Sequence, residues 1–191
     1  DRVDFATFSG HKFHAVRGVG FVYKKAGKKI TPLLTGGGQE KDFRSTTENV
    51  AGIASMAKAL RLVTDKEEFS LPKIAKMKKI IFDELAKYED ITIFSGEGED
   101  FAPNILTFGI KGVRGEVIVH AFEEHQIYIS TTSACSSKAG KPAGTLISMG
   151  VPTKLAQTAV RISLDDDNDM GQVEQFLTIF KQVYAKTQKV R

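Results

Sequence analysis

Ser9-Gly10-His11-Lys12 follows a strand-like run, and Gly18 and Gly20 close the segment behind it. A lysine so placed can form a Schiff base with an aldehyde cofactor. It needs a partly desolvated pocket to lower its pKa and neighbours that bind a cofactor phosphate. Ser9 and His11 could supply that polar contact. On the residues alone two other readings stay open: a polar loop with an exposed lysine, and metal binding by His11 and His14, which lack nearby carboxylates. A second group is Gly36-Gly37-Gly38-Gln39-Glu40 with Arg44-Ser45-Thr46-Thr47-Glu48-Asn49-Val50. Three glycines alone mean a flexible turn. Thr47, however, stands near the start of a predicted helix, where backbone N–H groups favour an anion. Third, the single cysteine, Cys135, lies in Ser130-Thr131-Thr132-Ser133-Ala134-Cys135-Ser136-Ser137. A lone cysteine is ordinarily a small buried hydrophobe. Flanks this small and polar suit an exposed, mobile loop, in which a thiolate would be a nucleophile. Fourth, Arg161 sits in Val160-Arg161-Ile162-Ser163-Leu164 with apolar residues on both sides. An arginine held there needs an anion, either a structural carboxylate or a ligand forked by its planar donors.

Taken in order, these four motifs resemble those of the NifS/IscS-type cysteine desulfurases, within the class V aminotransferase family of pyridoxal-phosphate enzymes. Ser-Gly-His-Lys followed by Gly-Val-Gly is similar to the cofactor-lysine motif, the glycine block to GGGQE…RSGTEN, and the cysteine segment to SSGSACSS. The resemblance implies that Lys12 carries pyridoxal 5'-phosphate, within a cofactor-binding segment of Ser9, Gly10, His11 and Lys12. It implies that Ser9 and His11 contact the phosphate, and that Thr47 reaches across a homodimer to the partner's phosphate. Cys135 then receives the substrate sulfur and Arg161 forks the substrate carboxylate; no metal is implied. The implied reaction takes sulfur from L-cysteine, leaves L-alanine and passes a persulfide to a sulfur-acceptor or scaffold protein for iron–sulfur clusters or thiolated tRNA. Three positions depart from the family pattern. Thr46 and Thr132 stand where glycine is usual, and Asp165-Asp166-Asp167 follows Ser163-Leu164 where glycine is usual. A selenocysteine lyase or another class V aminotransferase would share Lys12 and Arg161 without needing Cys135, and a non-catalytic assembly module is a further alternative.

Strands interleaved with helices must position these residues, which implies α/β layers. Val3–Phe8 and Gly20–Tyr23 read as strands of a parallel sheet, with a turn at Lys24–Lys29. Glu48 to Val63 reads as a helix with Ile53, Met56, Ala57, Leu60 and Val63 at helical spacing. Leu71 to Tyr88 is the clearest amphipathic helix, with Ile74, Met77, Ile81, Leu85 and Tyr88 on one face. Then come strands at Ile91–Phe94 and Asn104–Ile110, a helix at Glu116–Gln126, strands at Ile127–Ser130 and Val160–Leu164, and a helix at Met170–Lys186. A division is expected within Val63–Leu71. By resemblance the fold is the C-terminal part of an aspartate-aminotransferase-type (fold type I) enzyme. Residues 1–65 would be a remnant of the cofactor-binding large domain, and 66–191 the α+β small domain. The chain starts abruptly at its first motif, so the expectation is that these residues alone do not hold the cofactor productively.

The composition is that of an ordinary soluble globular protein. Of 191 residues, 41% are hydrophobic and 26% charged, which supplies enough apolar material for a core. The net charge is +4, but the densest basic stretch, Lys73 to Lys79, lies on a predicted helix without interleaved aromatics. A solvated face fits better than a nucleic-acid surface. No apolar run reaches the roughly 20 residues of a membrane helix, and the N-terminus lacks a signal-peptide pattern. One cysteine excludes internal disulfides and fits a reducing, cytoplasmic setting or a thiol kept for chemistry.

Overall fold

The computed structural model describes residues 3–98, 100–131 and 144–188. Cys135 and most of its loop therefore lie outside the described residues. The chain forms two compact units, Asp1–Glu68 and Phe69–Arg191.

In the first unit β1 (Phe5–Ser9) pairs antiparallel with β2 (Gly20–Lys24), Phe8 opposite Phe21 and Ser9 opposite Gly20. The parallel arrangement expected for these strands is not found. Only residues 10–19 join them, too few for the crossover a parallel pair requires. Phe8 and Phe21 stack at 4.6 Å, and Phe13 meets Phe21 edge-on at 6.3 Å. A small core forms where Phe13, Val19 and Phe21 pack against Ala15, Met56 and Ala59. Much apolar surface stays uncovered within this unit: Phe5, Phe8, Val22 and Leu33 are all exposed.

Helix α1 (Val50–Leu85) serves both units, its first part in one and its second in the other. The helices expected at Glu48–Val63 and Leu71–Tyr88 are one continuous helix. Thr64 to Ser70 contain neither glycine nor proline, and Pro72 removes only one backbone donor from a long ladder. The face expected between 53 and 63 also differs. Gly52, Met56 and Ala59 are buried, while Ile53, Leu60 and Val63 are exposed. The apolar residues there outnumber what one two-stranded sheet can cover.

The second unit is two-layered. Its sheet has strand order β3-β4-β6-β5, antiparallel throughout: β3 (Ile91–Ile93), β4 (Ile105–Ile110), β5 (Ser130–Thr131) and β6 (Ala159–Ser163). Alternation along β4 and β6 sends Leu106, Phe108 and Ile110, with Val160 and Ile162, to one face. That face packs on Met77, Ile81 and Leu85 of α1, on Ile118 and Phe122 of α2 (Gly115–Glu123), and on Phe176 and Phe180 of α5 (Met170–Gln188). The expected amphipathic stripe of the later α1 is thus the one buried. Phe122 and Phe176 stack at 5.1 Å, and Tyr88 meets Phe180 edge-on at 5.2 Å. Each buried aromatic of this kind is worth about 1.5–3 kcal/mol over its exposed state. Two short helices, α3 (Gly144–Ser148) and α4 (Thr153–Ala156), contribute Leu146 and Ala156 to a second, smaller cluster with Ala159 and Phe94. Among the described residues no helix is long and apolar enough to cross a membrane.

Candidate active site

Lys12 belongs to the first unit. It lies in a 3-10 turn, Gly10–Phe13, which begins where β1 ends. Backbone hydrogen bonds hold this turn: Gly10 N–H donates to Val19 O at 2.9 Å, and Ala15 N–H to Gly10 O at 3.0 Å. His14 leaves the turn in the left-handed region, φ 69°. Glycine is required at both ends of the close approach. A Cβ on Gly10 would come within 2.9 Å of Val19 O, and one on Gly20 would collide with Phe8 O. Ser9, His11 and Lys12 are thereby fixed at one end of the hairpin, all exposed. Among the described residues none of the three side chains has a hydrogen-bond or ion-pair partner. The His11–His14 metal alternative gains no support: no metal-binding cluster among the described residues joins the two.

Thr47 also belongs to the first unit. It lines a concavity of about 520 Å³ with Gly18, Gly20, Glu40, Arg44 and Thr46. The helix behind it starts at Val50, slightly later than its sequence suggests. Asn49 caps it, its Oδ1 accepting from Gly52 N–H at 3.0 Å. Thr46, in the place of a usual glycine, is not left-handed, and its hydroxyl accepts a hydrogen bond from Arg44. The strained backbone lies just upstream: Glu40, Lys41 and Asp42 have φ of 51°, 55° and 65°. Arg44 and Glu40 went without a role in the sequence. Their only signal was membership of the glycine block.

Arg161 belongs to the second unit, on β6. Its strand neighbours Val160 and Ile162 point into the core, and Arg161 points to the other face, where it is exposed. Among the described residues it makes no ion pair. The structural salt bridge, one of the two readings of this arginine, is therefore not observed there. Its register partners are Thr107 on β4 and Ser130 on β5. The acidic run that follows forms an ordered turn. Asp165 N–H donates to Asn168 Oδ1 at 2.8 Å, and Lys73 Nζ donates to Asp166 O at 2.6 Å. Thr107 was passed over in the sequence, although it is the one polar residue in Ile105–Ile110.

The second unit also holds a buried cation. Lys78, on α1, is only 6% exposed, and its ammonium donates to Gly96 O at 3.2 Å and Ala102 O at 2.9 Å. Desolvation lowers its pKa from the usual lysine value, against a smaller opposing pull from Glu97.

The residues present suit the polar ends of a pyridoxal phosphate. A free amine, a hydroxyl and an imidazole share one rigid turn, and a threonine lines a concavity beside an arginine. No residue among them supplies a counter-charge for a ring nitrogen.

Comparisons with known proteins cover most of the chain. The family model described as "Aminotransferase class-V" matches residues 2–176. A NifS/IcsS protein homolog of Lactobacillus delbrueckii subsp. bulgaricus is 47% identical over 189 residues, which is 99% of this chain and 49% of that protein. A protein named cysteine desulfurase IscS, from Dictyoglomus turgidum, is 35% identical over 85% of this chain and 41% of its own length. The solved structure of a NifS-like protein from Rickettsia africae superposes with a TM-score of 0.82 at 32% identity, covering 96% of this chain and 48% of that one. The chain spans about half the length of the curated relatives it matches.

Proposed function

The chain belongs to the class V aminotransferase family, and on that premise we propose that it is the C-terminal part of a pyridoxal-phosphate-dependent cysteine desulfurase. The observation that carries this reading is Arg161, an exposed guanidinium on β6 that has no counter-ion among the described residues. It lies opposite Ser130, which leads directly towards Cys135. From Thr131 to Cys135 is four residues, so the covalent chain limits their separation to about 14 Å. The proposed transfer requires the Cys135 thiol to approach a substrate whose carboxylate Arg161 holds, and a tether of that length permits it.

Lys12, Ser9 and His11 would hold the cofactor, with Thr47 contributing to its phosphate in a homodimer. Bound there, the cofactor supplies the electron sink for chemistry at the substrate α-carbon. Lys12 moves the Cα proton as general base and acid. Arg161 orients the amino acid by its carboxylate through paired N–H donors. The Cys135 thiolate attacks the substrate Sγ: the Sγ–Cβ bond of cysteine breaks and its electron pair stays with the substrate carbons, an S–S bond forms on Cys135, and one proton from solvent at Cβ, with the Cα proton returned by Lys12, leaves the three carbons as L-alanine. The Cys135 persulfide then passes its outer sulfur to an acceptor protein.

The test is Cys135→Ser in the complete enzyme. It should bind cofactor and L-cysteine, yet form no protein persulfide and mobilise no sulfur. Sulfur release at the wild-type rate would instead assign the chain to a lyase or another class V aminotransferase.

A further inference from the structure

The ladder between β3 and β4 ends at Ile93 and Phe108, and the step beyond it is bonded differently. Phe94 N–H donates to Thr107 O at 2.8 Å, and Thr107 N–H donates to the side-chain Oγ of Ser95 at 2.8 Å. A serine hydroxyl thus stands in for a strand carbonyl. In antiparallel strands a residue's N–H and C=O point to the same neighbouring strand. Both of these groups on Thr107 are directed to the β3 side. Thr107 therefore exchanges no backbone bond with Arg161, which stands directly opposite it on β6. Pairs of this kind bring the Cα atoms to about 4.5 Å, with the side chains closer than in bonded pairs. Thr107 lies beside the stem of Arg161, and its β-branched side chain, 8% exposed, is stiff at χ1. Whatever fixes Thr107 fixes that flank of the arginine. Ser95 is itself secured on both sides. The carbonyl of Gly96 accepts from the buried Lys78 ammonium at 3.2 Å, and Phe94 packs against the cluster of Leu146, Ala156 and Ala159.

We propose that Ser95 is a positioning residue for Arg161. By accepting from Thr107 N–H it holds the threonine that walls one side of the arginine stem. A stem so confined keeps the paired guanidinium donors aimed at the substrate carboxylate. Arginine has several rotatable bonds, and those restrained before binding need not be ordered on binding. Without the Ser95 hydroxyl, Thr107 N–H loses its acceptor, and the strand can shift at the residue beside Arg161. The gain is confined to ligands that carry a carboxylate. The proposal rests on Arg161 holding that carboxylate.

The test uses the complete holoenzyme and two probes, L-alanine, which carries the carboxylate, and cysteamine, which lacks it. Ser95→Ala should raise the Kd for L-alanine about two- to tenfold, the worth of one neutral hydrogen bond. Cysteamine binding should not change, and Ser95→Thr, which keeps the hydroxyl, should retain wild-type affinity. With L-cysteine the rise in KM should exceed any fall in kcat. In an Arg161→Ala background Ser95→Ala should have no further effect on L-alanine, because it acts through the arginine. Additive losses in that double variant would overturn the proposal. So would a lower urea midpoint for Ser95→Ala with an unchanged Kd for L-alanine, or equal losses for L-alanine and cysteamine; either result makes the hydroxyl purely structural. If Arg161→Ala alone leaves L-alanine binding intact, the carboxylate reading of Arg161 fails, and the role of Ser95 fails with it.

Discussion

Replacing Lys78 by Met should loosen the chain between β3 and β4 while leaving the apolar stem in place. The wild-type ammonium bridges two carbonyls of that connection, Gly96 O at 3.2 Å and Ala102 O at 2.9 Å. Hydrogen bonds from a charged donor contribute about 1.5–3 kcal/mol each, the longer one at the low end. Relief from burying an ammonium offsets part of the loss. The net destabilisation should be about 1–3 kcal/mol, a fall of roughly 1 M in urea midpoint for a typical m-value. Amides at 94–104, which include Phe94 N–H bonded to Thr107 O, should exchange faster in the variant. The pH dependence has a definite sign. Burial lowers the folded-state pKa of Lys78 below 10.5. Between the two values the unfolded chain binds more protons, so wild-type stability rises with pH through that window and is lost as pH falls through it. Lys78→Met lacks this gain, so its deficit should widen towards pH 10.5. An equal or higher urea midpoint for the variant at neutral pH, with unchanged exchange at 94–104, would refute the reasoning.

Three further outcomes are expected. Lys12→Ala should abolish the visible absorbance of bound cofactor and all turnover; a borohydride-fixed cofactor recovered on another lysine would exclude Lys12. Arg161→Ala should change folding stability by less than about 0.5 kcal/mol, since the side chain is exposed and without an ion pair among the described residues. Its carboxylate ligands should weaken by about 2–5 kcal/mol, and calorimetry that found the reverse pattern would restore a structural role. Asp42→Gly should stabilise by about 0.5–1 kcal/mol, because Asp42 holds φ 65° and glycine has no Cβ to clash there; a lower midpoint than wild type in thermal denaturation would count against strain at this turn.

The sequence by itself determined the order of the motifs, the family they resemble and most element positions in the second unit. There periodicity is a direct readout of burial. Ile74, Met77, Ile81 and Leu85 recur on one helical face because one face meets the sheet. The first unit was less legible. Its helix buries Gly52, Met56 and Ala59 rather than the larger Ile53 and Leu60, since periodicity says which residues share a face but not whether anything covers it. Strand direction was misread there for a similar reason: Phe5–Ser9 and Gly20–Lys24 look the same in either pairing, and only the short connection closing at Gly10 and Gly20 makes them antiparallel. In the site, Lys12 and Arg161 were legible as types in a pattern. That Arg161 has no counter-ion among the described residues, and that Thr107 and Ser130 flank it, came only from tertiary structure. Residues 107, 130 and 161 are far apart in the chain, and cross-strand register, set by which strands become neighbours, is what places their side chains in one row.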